Sequence, residues 1–453
     1  MKAKPVSSIC ADCIEHHDEW LYEYINNNQK KYKCSICKGK LKLGIDVHDL
    51  ANLFRNCLEK NYESVNGENK YDTMSEQEVF IQPGDNLACV INRIMGFELP
   101  FSHEISEILC KEDSKIDTRD GSTPFFEEYS YYIKREIDCD ELDYKWNQLK
   151  SELKCERRFF SENARVFFDE LFSNLDGFLA TYDIPNAPTF RNLKVEKVIV
   201  ELDCNSIIYR ARRADFLEDC EKFITDSIQE LSPPPSKFAL QGRMNPKGIS
   251  IFYGAFEVET CIAEVRSSIG SSIAMGEFKP SKALKILNFR SLERSYQFLS
   301  YLMPNYRELV SQQLFLHKLH KQISTPILPG HEDEYLITQV LAEYLAYVST
   351  YGFDGIIFES TQSKGGTNIV IFPKKEHENS ETIDFYDERN KETNNKYLSR
   401  FGLTFVDGSV KIFNIDAVQY SYTENIYINR NDNIYFIDSS DENFQRQEYY
   451  PII

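Results

Sequence analysis

Residues 232–266 read SPPPSKFALQGRMNPKGISIFYGAFEVETCIAEVR. Three consecutive prolines, then two glycines, predict an irregular loop of fixed shape, because proline restricts both itself and its predecessor. ISIFYGAF then reads as a strand and EVETCIAEVRSS as a helix. Upstream, VEKVIVELDC and SIIYRARR read as Val- and Ile-rich strands. Downstream, LKILNF reads as a strand, two helices are expected over 291–319, and a longer one over 333–351. GIIFES and NIVIFP predict two further strands joined by the turn TQSKGGT. Strands and helices alternate without a regular βαβ winding, which defines an α+β class.

The rest of the chain divides around this region. Residues 46–190 are expected to be mainly helical. Val47, Leu50, Phe54 and Leu58 recur at helical spacing, as do Val166, Phe167, Leu171, Phe172, Leu175 and Phe178. The polar stretch 112–123 reads as a loop. Residues 1–45 form a separate cysteine module, and an acidic, Tyr-rich tail with short strand-like runs follows residue 425. The expected organisation is thus 1–45, 46–190, 193–425 and 426–453.

The chain has 453 residues, 42% of them hydrophobic and 27% charged, which is globular in character and long enough for two or three domains. Its net charge of -19 argues against broad binding to nucleic-acid backbones. A local group of Lys30, Lys31, Lys33, Lys38, Lys40 and Lys42 reads as a solvated face. No apolar run is long enough to span a membrane, and the N-terminus lacks a signal-peptide core, so a cytoplasmic location is expected. Most of the 12 cysteines sit singly in apolar segments and read as buried small hydrophobes.

Four cysteines differ. Cys10 and Cys13, then Cys34 and Cys37, form two C-x-x-C pairs with twenty residues between them. That spacing predicts a structural Zn2+ site, zinc-ribbon-like, with all four positions filled by protein and none left for catalysis. His16 and His17 follow closely and read as surface residues, as do His317 and His320, three apart on a helix.

The segments IIYRARR, GRMNP, YGA with its following helix, YLITQVLAEYL and FES…GGTN occur in one order. Together they resemble the RES domain, a bacterial family named for Arg, Glu and Ser, over roughly residues 195–425. The resemblance implies an ADP-ribosyltransferase-like mixed α/β fold. It also implies cleavage of the nicotinamide–ribose bond of NAD+ by water or phosphate, in toxins often paired with an Xre-type antitoxin. Residue by residue it places the family arginine at Arg210, its glutamate at Glu264 and its serine at Ser360. Arg243 and Tyr253 match pocket positions, and Asn245 and Asn368 match motif residues expected to contact NAD+. The helical N-terminal half weakly resembles HEPN-like domains that often precede RES domains. No histidine has an arginine at the HEPN nuclease spacing, so it reads as a scaffold, sensor or dimerisation element.

The chemistry suits these residue types. Nicotinamide in NAD+ is already cationic and leaves as a neutral base. The transition state carries positive charge on the ribose, which one close carboxylate stabilises. Two phosphates call for planar, permanently charged arginine forks. No G-x-G-x-x-G, P-loop or H-E-x-x-H pattern is present. The expected activity is NAD+ glycohydrolase or phosphorylase, in a toxin or antiphage-defence effector. Control comes from an antitoxin or from the N-terminal half in cis, and a homodimer is left open. The alternatives are an ADP-ribosyltransferase acting on protein or nucleic acid, and a zinc-containing interaction module without activity.

Overall fold

The computed structural model describes residues 6–66, 68–72, 77–115, 123–183, 193–324, 335–374 and 396–418, together with the paired strands Ile426–Arg430 and Asn433–Ile437. Most of the stretch expected as a loop at 112–123, and all of the tail after 437, lie outside these residues.

The cysteine module is a small antiparallel sheet with Leu41–Asp46 between Ser8–Cys10 and Lys31–Lys33. A helix, Val47–Asn61, starts directly from it. The Asp46 carboxylate caps this helix by accepting from the His48 and Asp49 amides, both at 2.9 Å. Val47, Leu50, Phe54 and Leu58 are all buried, as their spacing requires. They share one core with Ile9, Ile14, Leu21 and Ile25 of the cysteine module and with the helices Leu87–Met95 and Ser102–Asp113. The module therefore packs onto the helices instead of standing alone. This half also carries strands: Tyr62–Val65, Asp85–Asn86 and Tyr131–Lys134 form a second antiparallel sheet.

The hydrophobic core does not break near residue 190. Helices Asp140–Cys155 and Glu162–Leu171 bury Trp146, Phe167, Phe168 and Phe172 in the same core as Phe315, Tyr344, Phe358 and Val370. Trp146 meets Phe315 edge-on, with ring centroids 5.9 Å apart. A helical period shows that one face is buried, but not which neighbour covers it. Val166, expected on the apolar face, is exposed, and the helix ends at Leu171.

The large sheet contains β1 (Ile199–Leu202), β2 (Ile208–Ala214), β3 (Phe252–Ala255), β4 (Ser272–Pro280), β5 (Leu284–Asn288), β6 (Gly355–Glu359), β7 (Thr367–Ile371), β8 (Leu403–Phe405) and β9 (Lys411–Asn414). Its order is β1-β5-β6-β7-β3-β2-β4-β8, with β9 also on β4. Only β5 and β6 run parallel. This mixed sheet with helices on its faces is the expected α+β class. Period-two alternation sends Ile356, Phe358, Val370 and Phe372 to one core, and Ile357, Ile369 and Ile371 to the other. Three helices matter for the site: α1 (Val258–Val265), α2 (Tyr306–Ser324) and α3 (Tyr335–Glu343). In place of two helices over 291–319 there are a single turn, Phe289–Leu292, and then α2. No described helix is long and apolar enough to cross a membrane.

Candidate active site

Strand β2 pairs with β4 along seven residues, but with β3 at one position, Tyr209 opposite Ala255. The two strands touch there and then part. Gly254 permits the close approach, since a Cβ on it would lie 2.7 Å from Ile208 Cγ2 and 2.9 Å from the Tyr209 carbonyl. A cavity of about 370 Å³ occupies the split. Arg210, Arg243, Tyr253, Glu264, Glu359 and Asn368 are among the residues that line it.

Glu264 lies on α1, one residue before its end. Its Oε1 accepts two hydrogen bonds, from Ser360 Oγ at 2.6 Å and Asn368 Nδ2 at 2.7 Å. Ser360 leaves the end of β6, and its Oγ accepts from the Gln362 and Ser363 amides, both at 3.1 Å. With its lone pairs facing those amides, the hydroxyl proton is directed at Glu264. Oε2 has no hydrogen-bond partner among the described residues. The carboxylate is thus gripped on one oxygen and open on the other. The turn that carries Ser360 is held against α1 as well. Glu257 Oε2 accepts from the Thr367 amide and Thr260 Oγ1, both at 2.8 Å. A Cβ on Gly366 would lie 2.1 Å from Thr260 Oγ1, so the hairpin fits onto the helix only with glycine there.

Arg210 donates from Nη1 to the Tyr253 carbonyl at 2.6 Å, with its guanidinium carbon 5.3 Å from the Phe252 ring centroid. It bridges the parted strands. Arg212, two residues on, donates to the Ser232 carbonyl at 2.7 Å and holds the proline loop. Arg243 donates to the Ile323 carbonyl at 2.8 Å, at the end of α2. Burial lowers the Arg243 guanidinium from its ordinary value, against the opposing pull of Tyr335, Glu264 and Tyr253. Guanidinium is so strong a base that the group stays cationic.

The turn bearing Arg243 is fixed from α3: Thr338 Oγ1 donates to the Arg243 carbonyl at 2.5 Å, and Gln339 Nε2 to the Gly242 and Asn245 carbonyls at 2.9 and 3.1 Å. These two residues lie in the motif segment YLITQVLAEYL, but no sequence rule assigns them a role.

Asn245, expected to contact NAD+, does not line the cavity. Its amide nitrogen donates to the carbonyls of Leu240, Pro246 and Ile249, and its Oδ1 accepts from the Tyr253 hydroxyl at 2.7 Å. It shapes the loop and anchors Tyr253 from behind. The Tyr253 hydroxyl also accepts from the Met244 amide at 3.1 Å, and burial pushes its pKa up to about 12. What Tyr253 offers the cavity is a fixed, neutral ring. Cys261 is a wall residue whose thiol burial pushes up to about 12, so it does not act as a nucleophile. Ser360 is buried behind Glu264 and acts on the cavity through it. The set therefore separates into residues facing the cleft (Arg210, Arg243, Tyr253, Glu264 and Asn368) and residues that position them (Asn245 and Ser360).

Of the histidines expected at the surface, His16 and His17 are exposed, His317 is half-buried, and His320 departs from the expectation. His320 is 2% exposed, not on the helix surface, and lies 3.7 Å from Glu359. His317 hydrogen-bonds the Ser295 carbonyl at 2.8 Å. His17 packs on Phe97, with ring centroids 4.4 Å apart.

At the other end of the chain, the sulfurs of Cys10, Cys13, Cys34 and Cys37 all lie within 4.8 Å of one another. Cys10 and Cys37 are 3.8 Å apart, Cys13 and Cys34 3.9 Å. Zn–S bonds of ~2.3 Å in a tetrahedron put sulfurs roughly 3.8 Å apart, so the set fits Zn2+. Burial raises the Cys10 and Cys13 thiols, whereas at Cys34 backbone amides outweigh burial and hold the thiol at about 7. Two of the neighbouring lysines are ion-paired, Lys30 with Asp49 and Lys42 with Asp12, both at 2.6 Å.

Residues 207–388 match the model of the RES domain. RES domains are associated with NAD-related toxin function. No curated protein and no solved structure matches the chain.

Proposed function

We propose that the RES domain cleaves the nicotinamide–ribose bond of NAD+, and that the protein acts in the cytoplasm as a toxin or defence effector. The observation that carries this reading is the half-gripped Glu264 carboxylate in a cleft flanked by Arg210 and Arg243. Bond breaking puts positive charge on the ribose while nicotinamide leaves neutral, so a fixed anion stabilises the transition state more than the ground state. Ser360 and Asn368 hold the carboxylate in place without covering Oε2. The two guanidinium groups suit the pyrophosphate, and the Tyr253 ring offers a stacking face for nicotinamide. Asn368, already committed to Glu264 through Nδ2, keeps its carbonyl oxygen for a ribose hydroxyl or carboxamide.

Control by the N-terminal half in cis is supported by direct contacts. Ser300 Oγ donates to Asp18 Oδ2 at 2.6 Å, and Lys60 Nζ to the Pro304 carbonyl at 2.9 Å, both just before α2. A separate Xre-type antitoxin is the other route. The test is to incubate the full chain with NAD+, with and without phosphate, and to identify products. Nicotinamide with ADP-ribose means hydrolysis, and nicotinamide with ADP-ribose-1″-phosphate means phosphorolysis. Label transferred to protein or nucleic acid would move the reading to an ADP-ribosyltransferase. NAD+ left intact under all conditions, by the full chain and by residues 139–418 alone, would overturn it.

A further inference from the structure

Behind the cleft, three side chains from separate elements converge. Glu293 follows the turn Phe289–Leu292, His320 is on α2, and Glu359 ends β6. One ligand atom from each lies within 4.8 Å of the others. His320 Nε2 stands 3.7 Å from Glu359 Oε2, too far for a hydrogen bond but suited to two ligands of one ion. Its ring is 2% exposed, and Nδ1 is buried with no hydrogen-bond partner among the described residues. Both glutamates are partly open, with side-chain exposures of 34% and 37%, so small rotations bring their oxygens to ligand distance.

We propose that Glu293, His320 and Glu359 bind one divalent transition-metal ion at the wall of the cleft. An imidazole with two carboxylates suits Mn2+, Fe2+ or Zn2+ and disfavours Mg2+ and Ca2+, which take oxygen ligands. Three protein ligands leave coordination positions open, and one of the three, Glu359, also lines the cavity. Two cations stand nearby. Lys321 Nζ is 3.7 Å from Glu293 Oε1 on a side chain that is 75% exposed. Arg290 donates to Thr367 Oγ1 at 3.0 Å, and its charge reaches His320. The ion would tie β6 to α2 one residue before Ser360, and so steady the serine that grips Glu264. On the reading that the cleft takes NAD+, it would also offer a further positive charge to a phosphate or ribose oxygen.

The test uses the full chain, loaded with Zn2+ at its cysteines and titrated with Mn2+ in the absence of nucleotide. Bound Mn2+ is read by electron paramagnetic resonance. One Mn2+ per chain is expected, with affinity lowered roughly ten-fold or more in both Glu293→Gln and Glu359→Gln. These partly open side chains are chosen because His320→Ala risks the fold; unchanged circular dichroism confirms folding. No bound Mn2+, or binding unaffected by either substitution, would overturn the site. Mn2+ bound by a chain that leaves NAD+ intact would support the ion site and count against the functional reading alone.

Discussion

The four-cysteine set and the Glu264 grip use their polar atoms in opposite ways. The four sulfurs face one another, at separations a tetrahedral ion would impose, and leave nothing for a substrate. Glu264 has one oxygen held twice from behind and one facing a cavity. The first arrangement suits stability and the second suits chemistry. They also differ in reach. Each cysteine pair comes from one tight turn. The Glu264 grip joins residues 96 and 104 positions apart, so it exists only once the sheet has formed.

The largest expected effect lies on the closed side. Cys34→Ser should abolish zinc binding and unfold the core around Phe54 and Ile91, on a scale of ~10 kcal/mol for a structural zinc. Hydrogen exchange should show protection lost over residues 8–110 and kept over 199–372; loss in both would mean that the two regions fold as one unit. Next, Trp146→Ala should destabilise the RES sheet by about 3–5 kcal/mol, because its ring is buried in that core. A melting transition lowered only in the zinc-bearing half would refute the shared core. On the open side, Glu264→Gln should lower kcat for NAD+ cleavage by about 10²–10³-fold with the melting temperature unchanged. The smallest effect is expected from Ser360→Ala, which removes one of the two donors to Oε1. A roughly ten-fold loss in kcat with KM unchanged is expected, and a rise in KM alone would assign Ser360 to substrate binding instead.

Much of this was legible in the sequence, for reasons specific to each part. The two C-x-x-C pairs carry their geometry in their spacing. The alternation in GIIFE and TNIVI is enough by itself to put Ile356 and Ile357 on opposite faces of the sheet. Arg210, Arg243, Tyr253, Glu264 and Asn368 meet in one cleft, as the ordered motifs suggested. What stayed hidden depends on contacts across the fold. Asn245 reads as a ligand-facing amide, yet three carbonyls of its own loop take its hydrogens. His320 sits on a helix whose polar residues suggested a wet face, and packing against β6 made that face internal. The helices at 140–171 show an apolar stripe, but nothing local says that it belongs to the RES core.

The single contact between β2 and β3 has a thermodynamic consequence. Each of these strands is fastened to its other neighbour along at least four residues, but to its partner at one. The sheet is thus two leaves joined at a weak seam, and local opening costs least there. A dinucleotide touching Arg210 on one leaf and Tyr253 on the other would stitch them together. By linkage, its binding free energy would then appear as added stability of the whole sheet. In the Glu264→Gln chain, slowed enough to keep its ligand through a melting scan, NAD+ should reveal itself as a rise in melting temperature.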